Sequence, residues 1–376
     1  MNLKLLNDAK RIIVKIGSTL LVDPENGNIR VDWLRLLAED LKTMSESGSE
    51  IIIVTSGAIA AGRRDLGLGS DRLRLEESQA AAASGQVRLA HAYASALQAS
   101  GLIAAQVLLT IDDMDSRRRY LNARNTITTL LQLNAIPVIN ENDTIATTEI
   151  RFGDNDRLAA GVAAMMSADV LILLSSDIDG LYSADPNSDK KAEWIPVVQR
   201  ITPEIEAMAG STISSDSSGG MVTKLIAARA ATAAGCNMVI TSGKGRKPLQ
   251  RLLSGGRSTW FMAKRSPISA RKHWIFSVLQ PRGELVVDNG AVDALDRGKS
   301  LLPAGVKVVE GNFERGDSVL VLDLNGNKVG RGLVAYSAAD ATKIIGHKTT
   351  AIEKILGYSG RDEMIHRDDL VLENEK

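Results

Sequence analysis

The chain has 376 residues, more than one hydrophobic core usually organises, and is 44% hydrophobic, 24% charged and only 3% aromatic, which predicts two globular domains with aliphatic α/β cores. Lys plus Arg and Asp plus Glu both number 45, which excludes a global field able to hold a polyanion or a membrane surface. Met1 to Lys10 lacks the apolar run of a leader, and no stretch reaches the roughly 20 apolar residues that span a bilayer, so a cytoplasmic protein is expected.

In chain order, β-branched runs stand at 11–17 (RIIVKIG), 50–57 (EIIIVTSG), 102–110, 135–140 (AIPVIN), 169–175 (DVLILLS) and 236–241 (CNMVIT). Lacking strict alternation, they predict strands covered on both faces. Between them lie helical patterns at 32–46 behind an Asp32 cap, 76–99, 115–133, 155–167 and 219–234. This alternation predicts an α/β fold, a mainly parallel sheet sandwiched between helices, through about residue 260. Cys236, the single cysteine, opens an apolar run and reads as a buried core residue without a disulfide. The basic segment 264–283, with two prolines, reads as a linker. From 284 short strands and frequent turns predict a small β-rich barrel or sandwich, with an Asn325-Gly326 hairpin and a helix near 337–356. The expected domains are therefore 1–263 and 284–376, the latter including the tail.

Two common phosphate motifs fail. Gly298-Lys299-Ser300 has Asp293 where a P-loop needs glycine, and GKGRK at 243–247 runs into Pro248 where a dinucleotide fingerprint wants glycine. Three other turns suit an anion. VKIGST places Lys15 inside an apolar strand just before Gly17, where a charge must be paired or face a ligand. VTSGAIAAG sets Ser56 and Gly57 at a strand-to-helix turn, and SSGGMVTKL sets Gly219 and Gly220 at a helix start with Lys224 one turn in. Together they predict a phosphorylated ligand at the carboxyl edge of the sheet. The four histidines are dispersed without metal-ligand spacing and no Gly-x-Ser-x-Gly elbow is present, so zinc and serine hydrolysis are not expected. Asp154 and Asp156 suit the cap of the helix near 155, and Arg117-Arg118-Arg119, on a helix that also carries Asp112, Asp113 and Asp115, reads as a solvated or subunit-contacting face.

The segments VKIGST, VTSGAIAAG, LNARNT, PVINENDTIATTEIRFGDND, GLYSADP and GGMVTKL, in this order and spacing, closely resemble the glutamate 5-kinases of the amino acid kinase superfamily, and 283–358 resembles a PUA domain. The resemblance covers nearly the whole chain. It implies an amino acid kinase fold and ATP-dependent phosphorylation of the γ-carboxylate of L-glutamate, the first step toward proline, with ATP and Mg²⁺. It implies Lys15 and Lys224 as phosphate-contacting lysines, Asp156 holding both, and Asp154 beside it. It further assigns Ser56, Asp143 and Asn155 to glutamate, and Ser176, Asp177 and the turn Ser218, Gly219, Gly220, Met221, Val222, Thr223 and Lys224 to the nucleotide. Departures are Ser217 and Ser218 where the family usually has Gly-Thr, and Ser176 in place of a common threonine. The family also implies a homo-oligomer, dimer or tetramer, and proline as a feedback inhibitor. Glu141 and Glu149 receive no role. Other acceptors within the superfamily (aspartate, carbamate, a nucleoside monophosphate) and RNA binding through the PUA-like tail are the alternative readings.

Overall fold

The computed structural model describes residues 2–69, 73–146, 154–209, 220–277 and 279–373. Two compact units result: residues 1–116 with 122–267, and residues 117–121 with 268–376.

In the first unit the apolar runs become β1 (Arg11–Ile16), β2 (Glu50–Val54), β3 (Ile103–Leu109), β4 (Ala135–Glu141), β5 (Val170–Ser175), β6 (Val197–Val198), β7 (Asn237–Ser242) and β8 (Ser258–Phe261). Among the described residues they form one sheet of order β3-β4-β2-β1-β5-β7-β8-β6, parallel except where β8 runs against β7. The central strands β1, β2, β4 and β5 are buried almost throughout, which explains their unbroken apolar sequence. The two short strands β6 and β8 escaped the sequence reading because four residues or fewer carry no periodicity.

The main helices are α1 (Val31–Glu46), α2 (Ala58–Gly62), α3 (Leu75–Ala99), α4 (Arg117–Gln132), α5 (Asp154–Met166), α6 (Met221–Ala233) and α7 (Pro248–Leu253). Alternate side chains sort the sheet into two faces. Ile12, Val14, Ile16, Ile51, Ile53, Ile172 and Leu174 share one core with α1 and α3, whereas α5 packs on the other face of β1 and β5. Asp32 is not the cap of α1: Arg30 holds that position without a side-chain hydrogen bond, and Asp32 lies in the first turn, where an acidic residue still favours the helix dipole.

The second unit contains helix α8 (Pro267–Ser277) and strands β9 (Gly283–Val287), β10 (Val306–Gly311), β11 (Ser318–Leu322), β12 (Lys328–Leu333) and β13 (Leu370–Leu372). They pair as β10-β9-β11-β12-β13, around a core that includes Leu285, Val319, Phe313, Tyr336 and Met364. The hairpin between β11 and β12 exists, but Asn325 has no positive φ; only Gly326 does, at 81°. Asp323 builds a longer loop instead, its carboxylate accepting from the amides of Asn325 and Asn327. The helix expected near 337–356 is two pieces, Ala338–Ile344 and Ile352–Leu356, separated by Gly346 at φ 75°. Arg271 of α8 is buried against Asp369, with its Nη2 2.6 Å from Oδ1.

Candidate active site

Lys15 lies on the α5 side of β1, between Val54 of β2 and Leu173 of β5 in register. A lysine there cannot reach bulk water freely: it is 8% exposed. Its partner comes from the first turn of α5, where Asp156, 1% exposed, places Oδ1 2.5 Å from Lys15 Nζ. The other oxygen of the same carboxylate stands 3.8 Å from Nζ of Lys224, which α6 supplies from its first turn and which is 7% exposed. Two buried ammonium groups thus share one carboxylate, leaving a net charge of +1 between the N-termini of two helices. That combination attracts an anion.

The Lys224 ammonium titrates below the usual lysine range because burial disfavours its charge, and Lys15 pushes in the same direction, while Asp156 and Asp177 oppose. A phosphate oxygen placed beside Lys224 would supply the negative charge that the enclosure lacks.

On the other side of Asp156, β2 ends at a turn that only glycine can make easily. Gly57 has φ +104° and opens α2, and a Cβ there would press on Ser18 and Val22, which begin and follow the short helical turn Ser18–Leu21 after β1. The turn after β2 therefore lies directly on the turn after β1. Nδ2 of Asn155, next to Asp156, lies 2.5 Å from the Thr55 carbonyl oxygen, 2.8 Å from Ser56 Oγ and 3.0 Å from Asn140 Oδ1, so its two N–H bonds are shared among three acceptors. Asn140 is 2% exposed and donates from its own Nδ2 to Gln86 Oε1 of α3 at 2.8 Å. The buried Thr55 hydroxyl and Tyr93 hydroxyl lie 2.9 Å apart. Beyond β4, half-buried Asp143 borders a cavity of about 240 Å³ whose walls include Ala82, Gln86, Gln106, Asn142 and Thr144.

The structure thus brings Lys15, Lys224 and Asp156 into contact, ties Asn155 to Ser56, and links that pair through Asn140 and Gln86 to the cavity bordered by Asp143. Ser176 and exposed Asp177 follow β5, hydrogen-bonded to each other at 2.9 Å. Gly220 caps α6 in an extended conformation, Met221 begins that helix, and Val222 is 37% exposed. The Thr223 hydroxyl binds the Gly220 carbonyl at 2.9 Å and stands 3.3 Å from Asp156 Oδ2. Asp154 starts α5, with its side chain outside what is described. Ser217, Ser218, Gly219 and Glu149 lie outside the described residues. Among the described residues no group of three or more His, Cys, Asp or Glu is disposed to hold a metal ion, and no helix is long and apolar enough to cross a membrane.

Sequence reasoning missed Asn140, Gln86 and Thr55. A polar residue closing the apolar run AIPVIN was a usable signal for Asn140; Gln86 gave none, being one of several polar residues in an alanine-rich helix.

The sequence model described as the amino acid kinase family matches residues 10–242, and that of the PUA domain matches residues 283–356. A protein of Paramagnetospirillum magneticum named glutamate 5-kinase is 60% identical over 97% of this chain and 98% of its own. One of Mesorhizobium japonicum named glutamate 5-kinase 1 is 59% identical over 98% of this chain and 97% of its own. Among solved structures, UMP kinase from Ureaplasma parvum aligns with 67% of this chain and 98% of its own at 15% identity, with a TM-score of 0.47. Kinases of this family use ATP, and typically a metal ion with it. The chain belongs to the amino acid kinase family, in its glutamate 5-kinase branch, and carries a PUA domain.

Proposed function

We propose that the chain transfers the γ-phosphoryl group of ATP to the γ-carboxylate of L-glutamate, giving L-glutamyl 5-phosphate and ADP, the step that opens proline biosynthesis. The observation that carries this reading is the buried Lys15, Asp156 and Lys224 arrangement, whose net positive charge suits a triphosphate. An acceptor carboxylate oxygen attacks the γ-phosphorus, the bond to the β–γ bridging oxygen breaks, and that oxygen leaves on ADP. The nucleophile is already an anion, so no general base is required, and the barrier lies in bringing two anions into line. Lys15 and Lys224 neutralise charge on the transferred group, and Asp156 fixes both ammonium groups. Asn155, Ser56 and Asp143 hold the amino acid, with Asp143 facing its ammonium. Ser176, Asp177 and the stretch from Ser218 through Gly219, Gly220, Met221, Val222 and Thr223 to Lys224 hold the nucleotide, with Mg²⁺ supplying further charge neutralisation on the phosphates when bound.

In the same reading, residues 1–263 form the kinase domain, 264–283 the linker and 284–376 the PUA-like domain with its tail. The working enzyme is a homo-oligomer, and L-proline competes at the acceptor site.

The test is ADP release with L-glutamate, L-aspartate or carbamate as acceptor, with and without L-proline. Glutamate-dependent turnover is expected, and Lys15→Ala or Lys224→Ala lowers it by about a hundredfold or more at saturating substrate. Turnover with aspartate but not glutamate overturns the acceptor assignment, and near-normal turnover in a folded lysine variant removes that lysine from the mechanism.

A further inference from the structure

The amide contacts behind the acceptor side have a fixed polarity. Whatever atom of Asn155 lies 2.5 Å from the Thr55 carbonyl oxygen must be a donor, because a carbonyl accepts only; it is therefore Nδ2. That choice makes the Asn140 atom 3.0 Å away an acceptor, Oδ1, and turns the Asn140 Nδ2 toward Gln86. Gln86 must then present an acceptor, and it does so with Oε1 at 2.8 Å. A consequence follows at the other end: Ser56 Oγ receives an N–H from Asn155, so its own proton remains available for donation. Asn155 Oδ1 is left as an acceptor on the amide.

We propose that Gln86 is a positioning residue for the amino acid substrate, acting through Asn140 to hold Asn155 and Ser56 in the one polarity that gives the ligand a hydroxyl donor and an amide acceptor side by side. The position of Gln86 supports this. It projects from α3, the helix that approaches α2 most closely through Gly62 and Gly85, where a Cβ on either would overlap the opposing backbone. The glycine contact leaves α3 little room to shift relative to the turn carrying Ser56. Two helical turns earlier, Gln79 donates to the Ala146 carbonyl at 3.2 Å, so α3 holds both the end of β4, at Asn140, and the segment after it. Without the Gln86 acceptor, the buried Asn140 Nδ2 is left unsatisfied and nothing fixes which end of that amide faces Asn155; rotated, it would set two donors, Asn140 Nδ2 and Asn155 Nδ2, against each other.

This rests on the assignment of Ser56 and Asn155 to the amino acid substrate, and the experiment separates the two. Steady-state constants for L-glutamate and ATP, with thermal midpoints, are measured for wild type, Gln86→Met, Gln86→Ser, Gln86→Glu, Asn140→Ala, the Asn140→Ala/Gln86→Met double variant and Asn155→Ala. Gln86→Met keeps length and loses the acceptor; Gln86→Ser loses reach and serves if the methionine does not fold. Either raises KM for glutamate by about tenfold, the scale of one hydrogen bond to a neutral partner, with KM for ATP and the thermal midpoint near wild type. Gln86→Glu, which still accepts, restores KM to within about threefold. In the Asn140→Ala background Gln86→Met has no further effect. Unchanged KM in both acceptor-free variants, equal defects in Gln86→Met and Gln86→Glu, or effects that multiply in the double variant overturn the proposal. If Asn155→Ala raises KM for glutamate while the Gln86 variants do not, only the role of Gln86 falls; if the wild type does not consume glutamate, the underlying assignment falls and this role with it.

Discussion

Replacing Asp156 by Asn tests the electrostatic reading of the site without depending on any substrate. The carboxylate is 1% exposed and is the shared counter-ion of Lys15 and Lys224, themselves 8% and 7% exposed. The amide keeps the shape and removes the charge, so the two buried ammonium groups lose the carboxylate that they share. Removing one member of a buried pair destabilises by about 3–5 kcal/mol. At roughly 2–4 °C per kcal/mol for a unit of this size, the transition of the first unit should fall by about 6–20 °C. The deficit must also depend on pH with a definite sign. Lys224 already titrates low, chiefly through burial, and Asp156 is the main influence holding it up. Its pKa therefore falls further in the variant. A group with a depressed folded-state pKa contributes no penalty above its unfolded value, near 10.4, and an increasing one as pH falls through the folded value. The gap between wild type and Asp156→Asn is thus largest near neutrality and narrows as pH rises toward 10. Urea or thermal unfolding of both proteins from pH 7 to 9.5 measures it. A variant as stable as wild type at pH 7, or a gap that widens with pH, would refute the shared counter-ion.

Two further perturbations address the scaffold. Gly85→Ala drives a methyl group into the Ala58 carbonyl across the α2–α3 contact, backbone against backbone, and should destabilise by about 2–3 kcal/mol or more in urea unfolding; Gly67→Ala, where a Cβ meets nothing within 4 Å but φ is +67°, is the control for backbone strain alone and should lose about 1 kcal/mol. Asp40 of α1 is 4% exposed and accepts from the amides of Leu249 and Gln250 at 2.9 and 3.2 Å, capping α7 from outside. Burial raises its pKa despite those amides and Lys247, so the stability it contributes is complete below about pH 3.9 and is lost as pH rises through the higher folded value. Asp40→Asn keeps an acceptor oxygen without that titration, and its thermal midpoint should gain on wild type between pH 4 and 7; a variant that loses ground over that interval contradicts the assignment.

Much of the fold was legible because the physics that forms it is local. The runs at 11–17, 135–140 and 169–175 are strands covered on both faces, and such strands announce themselves as unbroken Val, Ile and Leu. The Asn325-Gly326 turn was legible as a hairpin but not in its geometry, because Asp323 satisfies two loop amides and makes a longer loop the better solution. Likewise 337–356 carries helix-forming residues on either side of Gly346, and the break there goes with that residue's left-handed backbone.

The site divides along the same line. Lys15 could be singled out because an ammonium group in a buried strand violates the local rule unless something pairs with it, and such violations mark function. The acidic span ENDTIATTEIRFGDNDRL is harder to read by local rules: five carboxylates in eighteen residues look alike along the chain, and, the family resemblance aside, it is the fold that separates Asp143 from Asp156. Asp156 goes beneath the sheet-borne lysine because it lies in the first turn of α5, over the end of β1; Asp143 goes to a cavity wall because β4 has already ended. The Asp156 carboxylate is thereby used on two cations. Gln86 is harder still to read. Its significance depends on a carbonyl at Thr55, two amides and a glycine crossing, none of which is near it in sequence, so hydrogen-bond polarity becomes readable only once every partner has a position.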